Sequence, residues 1–167
     1  VDVVTLEWEN VPLKALRQIE KTVPVCPGAM IMEIAQDRGL EKSFAQKNGI
    51  GTADFKLVGA AEELAKALES FPRPCFLKST RMGYDGKGQV LIQDQTEAAE
   101  IWDAMGSDQG ILESFVDFEM EVSVIVARRA DGHMACFPPV KNTHKDQILF
   151  ETHAPAPLSG DLAEEAT

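Results

Sequence analysis

Long apolar runs, paired cysteines and an excess of positive charge are all missing from this chain of 167 residues. No run of about 18 apolar residues occurs, the length a membrane-spanning helix needs, so no membrane role is expected. Asp and Glu number 27 against 16 Lys and Arg, a formal net charge of −11. The pI near 4.7 argues against nucleic acid, whose binding needs clustered positive charge. The three cysteines, Cys26, Cys75 and Cys136, are odd in number, far apart and without a C-x-x-C pair. Each has apolar neighbours, so reduced core thiols are expected, and with them a reducing, cytoplasmic compartment. The N-terminus lacks the charged-then-apolar layout of a signal peptide and Val1 is not an initiator methionine, so the chain is expected to begin inside a longer protein. Two familiar phosphate loops are absent as well. Gly83 and Gly88 have P-loop spacing, but Gln89 stands where the lysine belongs and no Ser or Thr follows. The dinucleotide fingerprint G-x-G-x-x-G does not occur.

What is present centres on residues 74–92, PCFLKSTRMGYDGKGQVLI. Cys75-Phe76-Leu77 reads as a short buried strand and Val90-Leu91-Ile92 as a second, with a glycine-rich loop between them. Gly83, Gly86 and Gly88 allow positive φ and leave backbone N–H groups open to a ligand. Residues 72–90 carry Arg73, Lys78, Arg81 and Lys87 against Asp85 alone, so this segment is positive in an acidic chain. A glycine-rich cationic hairpin suits a polyphosphate, although such hairpins are also ordinary turns. Lys78 favours the phosphate, because an unpaired lysine ending an apolar strand is costly unless an anion meets it.

The strand lysine followed by Gly-Tyr-Asp-Gly-Lys-Gly-Gln closely resembles the 5-(carboxyamino)imidazole ribonucleotide synthases, a purine-biosynthesis family of the ATP-grasp superfamily. The rest of the chain agrees in order. Val1–Leu6 reads as a buried parallel strand, Leu13–Lys21 as a helix opened by Pro12, and residues 23–27 as an extended piece. This is similar to the tail of a Rossmann-like unit. Ala29–Asn48 reads as one or two helices broken near Gly39 and C-capped at Asn48-Gly49. A charged pair such as Asp37-Arg38 is usually a solvated helix face. The family has a matching Asp-Arg with a following lysine, and there Arg38 falls on the position that contacts ATP phosphates. Ile50–Val58 leads into a helix through Ser70. Thr96 reads as the cap of a helix over Glu97–Met105, and Gly110-Ile111-Leu112-Glu113 begins a strand.

Farther on, Glu119–Ala127 alternates as one half-buried strand, with Glu119, Glu121, Ser123 and Ile125 on one side. Arg129–Gly132 reads as a hairpin turn, Met134–Val140 and Gln147–Phe150 as strands, and Ser159–Thr167 as the first turns of a helix. By resemblance, Glu113, Ser114, Phe115 and Val116 form the hinge that reads adenine, Glu121 contacts the ribose, and His144 of an Asn-x-His motif contacts the nucleotide. Lys141 stands where the family commonly has an acid.

The resemblance implies an α/β (α+β) ATP-grasp fold: the end of a Rossmann-like pre-ATP-grasp domain over 1–28, linking helices over 29–53, the lid over 54–116, and the start of the C-terminal subdomain over 117–167. It implies an ATP-dependent carbon–nitrogen ligase that phosphorylates bicarbonate to carboxyphosphate and carboxylates aminoimidazole ribonucleotide. ATP would be held by Arg38, Lys78, Gly83, Tyr84, Asp85, Gly86, Lys87, Gly88, Gln89, Glu113 through Val116, Glu121 and His144. Tyr84, Asp85 and Lys87 would face the ribonucleotide, and Asp85 and Lys78 would be catalytic. Magnesium is expected with ligands beyond Thr167, and a homodimer is expected from the family. Another ATP-grasp carboxylase or ligase, such as a biotin carboxylase, and a non-catalytic nucleotide-binding module are the alternatives.

Overall fold

In a computed structural model, residues 1–82, 88–93, 97–145 and 148–167 are described, and they form two compact units, Val1–Val116 and Asp117–Thr167. The first unit opens with β1 (Val4–Thr5), α1 (Leu13–Ile19) and β2 (Val25–Cys26). The two strands pair in parallel, as expected of a strand–helix–strand unit. Leu16 is the residue of α1 that is fully enclosed, packed with Val25, Ala29 and Met32. The strand is shorter than Val1–Leu6 and is not buried, since Val1 and Val3 are exposed. Among the described residues its partner strand is β2.

Two helices follow, α2 (Ala29–Ala35) and α3 (Arg38–Lys47). The break falls at Gln36-Asp37 rather than near Gly39. Asp37 takes an extended conformation and its carboxylate accepts from the N–H groups of Gly39 and Leu40, capping α3. Gly39 lies inside the helix for a packing reason: a Cβ there would stand 2.7 Å from Leu57 Cδ2. Asn48 ends α3 as expected, with Gly49 at φ +76°.

The centre of this unit is an antiparallel sheet in the order β3 (Phe55–Val58), β6 (Gly110–Ser114), β4 (Cys75–Ser79), β5 (Gln89–Ile92). Helices α4 (Ala61–Leu68) and α5 (Ala98–Met105) cover one face. Leu64, Leu77 and Leu112 are fully enclosed in that core, each contributing about 1.5–3 kcal/mol by burial. In α4 the inward residues Leu64, Ala67 and Leu68 follow helical spacing, and Glu62 and Glu63 favour its N-terminus. Helix α5 begins at Ala98 with Glu97 at the N-cap position; Thr96, the expected cap, lies outside the described residues. Strand alternation turns Cys75, Leu77 and Ser79 toward the helices and Phe76 and Lys78 toward the opposite face.

The second unit holds β7 (Glu121–Ser123), β8 (Val126–Arg128), β9 (Met134–Cys136), β10 (Val140–Lys145), β11 (Ile148–His153) and α6 (Gly160–Glu165). Strands β11, β10 and β7 form one antiparallel sheet, while β8 and β9 form a separate ribbon. The single alternating strand expected over 119–127 is thus two strands in two sheets, because the ladder is interrupted at Val124-Ile125. Likewise Pro138-Pro139, which cannot donate to a ladder, ends β9 early, and 141–144 belong to a strand rather than to a connection. The turn at Arg129–Gly132 and the helix after Ser159 are found as expected, Ser159 Oγ accepting from the Leu162 N–H. Of the three cysteines only Cys75 is buried; Cys26 is exposed because its neighbour Val25 takes the inward side of β2, and Cys136 is exposed on the β8–β9 ribbon, whose paired residues all face solvent. Among the described residues no helix is long and apolar enough to cross a membrane.

Candidate functional site

The face of the four-stranded sheet turned away from α4 and α5, which α3 approaches, carries the charged centre of the first unit. Phe76 pairs with Glu113 and Lys78 with Ile111, so the lysine and the glutamate share that face. Lys78 Nζ lies 2.8 Å from Glu113 Oε2. Lys42, from α3, reaches the other oxygen, Oε1, at 3.6 Å. Lys78 is therefore not unpaired as the sequence suggested; it ends its strand beside a carboxylate that the chain itself supplies. The Glu113 side chain keeps only 8% of its surface exposed, against 26% for Lys78 and 21% for Lys42. An enclosed carboxylate is costly without cationic partners, and Glu113 has two.

Beside this triad lies an aromatic platform. The rings of Phe76 and Phe115 stack with centroids 6.1 Å apart, and Lys78 Nζ stands 5.4 Å from the Phe76 ring centre. At the end of β6 and just beyond it, the N–H groups of Ser114 and Phe115 donate to the Asp54 and Pro74 carbonyls, and the Val116 N–H has no backbone partner among the described residues. An extended segment with an open N–H next to stacked rings can read the edge of a planar heterocycle.

Asp37 and Arg38 are not a solvated helix face. Arg38 Nη1 donates to the carbonyls of Ser79 and Met82, each at 2.8 Å. Its backbone N–H donates to Thr80 O at 2.9 Å. Asp37 Oδ2 also lies 3.2 Å from Arg81 Nε. The pair thus grips the chain as it leaves β4 toward the glycine-rich loop, and Arg38 is tied to loop carbonyls. Gly83, Tyr84, Asp85, Gly86 and Lys87 lie outside the described residues. Where the chain returns, Gly88 has φ +73° and a Cβ there would stand 2.8 Å from Ser79 Oγ. The Gly88 carbonyl accepts from Ser79 N–H at 2.7 Å, so only glycine meets both conditions without strain. Gln89 then pairs with Lys78 across the ladder.

In the second unit, β7 and β10 gather the remaining predicted residues. Glu121 pairs with Asn142 in register. Glu121 Oε1 accepts from Asn142 Nδ2 at 3.3 Å and faces His144 Nδ1 at 3.4 Å. Asn142 also donates to Ser123 Oγ and accepts from Thr152 Oγ1 at 3.2 Å. Alternation along β10 puts His144 on the same side as Asn142, and so toward the same carboxylate; the register shift beside it places its extra residue on β11. Lys141 stands opposite Val122 and His153, on the other face from Glu121 and Asn142. Its charge therefore does not enter this cluster directly.

Sequence reading noted Lys42 as the lysine following Asp37-Arg38 but gave it no partner, and it did not find Ser123 and Thr152 as partners of Asn142. The place of Lys42 at the site was findable, because it lies four residues after Arg38 and so on the same helix face. The other two required knowledge of the β7–β10–β11 pairing.

The ATP-grasp domain family matches residues 43–167, and the ribonucleotide synthetase preATP-grasp domain matches residues 1–36. The chain belongs to the ATP-grasp family. Within it, the chain is similar to N5-carboxyaminoimidazole ribonucleotide synthases. The chain is 44% identical to N5-carboxyaminoimidazole ribonucleotide synthase of Brucella melitensis, covering 99% of this chain and 46% of that one. It is 43% identical to a bifunctional purine synthesis protein, purC/E, of Dictyostelium discoideum, over 99% of this chain and 17% of that one. Among solved structures, the Thermus thermophilus N5-carboxyaminoimidazole ribonucleotide synthetase matches with TM-score 0.89 and 40% identity, over 99% of this chain and 45% of that one. The Aspergillus clavatus synthase in complex with ADP and 5-aminoimidazole ribonucleotide matches with TM-score 0.88 and 28% identity, over 99% and 43%. The resemblance read from the loop holds along the whole chain. The chain spans less than half the length of these relatives.

Proposed function

We propose that the full-length protein carrying this chain is an ATP-dependent carbon–nitrogen ligase that carboxylates 5-aminoimidazole ribonucleotide to its 5-(carboxyamino) product, using bicarbonate, in purine biosynthesis. The observation that carries this reading is Lys78. It ends a core strand beside the obligatory Gly88, on a sheet face with a stacked aromatic pair, in a chain whose relatives include a synthase solved with ADP and aminoimidazole ribonucleotide.

In this reading a bicarbonate oxygen attacks the γ-phosphorus of ATP, ADP leaves, and carboxyphosphate forms. The amine of the ribonucleotide then takes the carboxyl group, directly or as released carbon dioxide, and phosphate departs. Such a phosphoryl step asks the protein for positioning and charge stabilisation rather than a covalent intermediate. Lys78 and the N–H groups of 83–89 hold phosphate oxygens. Arg38 fixes the loop's first turn, and its remaining guanidinium donors are the ones available to phosphate. Phe76, Phe115 and residues 113–116 hold adenine, and Glu121 accepts from the ribose hydroxyls, with His144 beside it. Tyr84, Asp85 and Lys87 face the ribonucleotide, Asp85 orienting its amine or accepting its proton. Residues 54–116 act as the lid and 117–167 as the beginning of the body. Among the described residues no group of three or more His, Cys, Asp or Glu side chains is placed to hold a metal ion. Magnesium ligands are assigned to no residue of this chain, and no step is routed through the metal. A cytoplasmic homodimer is part of the same reading.

The test is ADP release by the full-length protein with magnesium-ATP and bicarbonate, with and without aminoimidazole ribonucleotide. Strong stimulation by the ribonucleotide, falling about 10²–10³-fold in Lys78→Ala, is the expected result. Stimulation by biotin instead would keep the fold and discard the substrate, and no turnover would leave a nucleotide-binding module.

A further inference from the structure

We infer that Lys42 is a positioning residue of the nucleotide site, acting through Glu113: it keeps that carboxylate neutralised when Lys78 turns to phosphate. This rests on the reading of Lys78 as a phosphate ligand.

The argument starts from an electrostatic conflict. Lys78 cannot give its full charge to an incoming phosphate while it holds Glu113 at 2.8 Å. Leaving Glu113 would strand a carboxylate that is almost wholly enclosed, and an uncompensated buried charge opposes the movement. Lys42 resolves the conflict from a different element. It sits 3.6 Å from Glu113 Oε1, the oxygen that Lys78 does not use. That spacing is looser than a charge-assisted hydrogen bond, leaving room to tighten. Among the described residues, Lys42 and Lys78 are the ion-pair partners of Glu113. Lys42 is placed by α3, whose first turn is fixed on the β4 exit by Asp37 and Arg38. With the nucleotide absent, two lysines share one carboxylate; with it bound, Lys42 alone remains as the counter-charge of Glu113 and Lys78 faces the phosphate.

The experiment measures affinity for a non-hydrolysable ATP analogue by titration calorimetry on the full-length protein. The variants are Lys42→Met, Lys42→Arg, Glu113→Gln, and Lys42→Met with Glu113→Gln. Lys42→Met is expected to weaken binding about 5- to 150-fold, the usual span of a coupling between linked sites. Lys42→Arg restores it, since any cation near Oε1 suffices. In the Glu113→Gln background the effect of Lys42→Met falls below about twofold, because a neutral amide needs no counter-ion. An equal loss in both backgrounds means that Lys42 touches the nucleotide itself, which overturns the inference. So does wild-type affinity in Lys42→Met. Should Lys42→Met not fold, Lys42→Gln carries the same cycle. A wild-type protein that binds no analogue overturns the nucleotide reading and this inference together, whereas a binding wild type with a neutral Lys42→Met removes the inference alone.

Discussion

Lys78 and Glu113 are diagonal neighbours across the β4–β6 pair, and their 2.8 Å contact joins the strand that leads into the glycine-rich loop to the strand that leads toward residues 115–116. Both strands are anchored by Leu77 and Leu112 in the helix-covered core. The charge pair is therefore held from behind by apolar packing. It forms because alternation sends residues of opposite charge to the same face, the one turned away from α4 and α5.

Removing that carboxylate leaves two ammonium groups side by side. Glu113→Ala is expected to lower stability by about 1–3 kcal/mol, less than a fully buried pair would lose, because both lysines retain contact with water. Urea unfolding measures it, and an unchanged midpoint would mean that the lysines find water at no cost.

Gly88→Ala should destabilise for two separable reasons. The left-handed backbone costs a Cβ-bearing residue about 1–2 kcal/mol, and the new Cβ meets Ser79 Oγ at 2.8 Å. Adding Ser79→Ala relieves the second cost and not the first. Thermal melting of the single and double variants distinguishes them. Equal melting of the Gly88→Ala protein and the wild type would refute both.

The thiols should divide two to one. Burial pushes the Cys75 thiol up from its ordinary value of 9.0, only partly opposed by the Arg73 charge, while Cys26 and Cys136 are exposed. At alkaline pH a disulfide reagent should titrate Cys26 and Cys136 quickly in the native chain, and Cys75 only after denaturation. The sign for stability follows from linkage. Above the ordinary thiol value the unfolded chain loses the Cys75 proton and the folded one keeps it, so stability falls as pH rises from there toward the folded value. Cys75→Ala should flatten that alkaline slope. An equally steep slope in the variant would place its cause elsewhere.

Asn142 holds the second cluster together, with Glu121, Ser123 and Thr152 around its amide. Asn142→Ala should cost about 0.5–1.5 kcal/mol, since the group is partly hydrated, and should free Glu121 and His144 from their common orientation. A double-mutant cycle with Glu121→Gln on nucleotide affinity is expected to be non-additive. Strict additivity would mean that Asn142 does not orient the glutamate.

The helices of the first unit, the β4–loop–β5 hairpin and the turn at Arg129–Gly132 were legible because each is written locally, in periodicity, glycine position or a cap. Breaks were less so. Asp37 rather than Gly39 separates α2 from α3, since a side chain able to accept two N–H groups ends a helix more decisively than one glycine weakens it. The alternation over 119–127 suited one strand, yet no sequence period says which partner each half will find.

By itself, then, the sequence determined the local grammar: Lys78 at the end of an apolar strand, glycine where φ must be positive, and Glu121 on an alternating strand. Only the tertiary structure decided that Lys78 already has a counter-charge, that Lys42 shares it, and that Lys141 faces away from the Glu121 cluster. Period and propensity act over a few residues and leave a signature in the chain. A charge pair between α3, β4 and β6 depends on sheet register and on how closely one helix approaches, and those are set by packing between segments far apart in sequence.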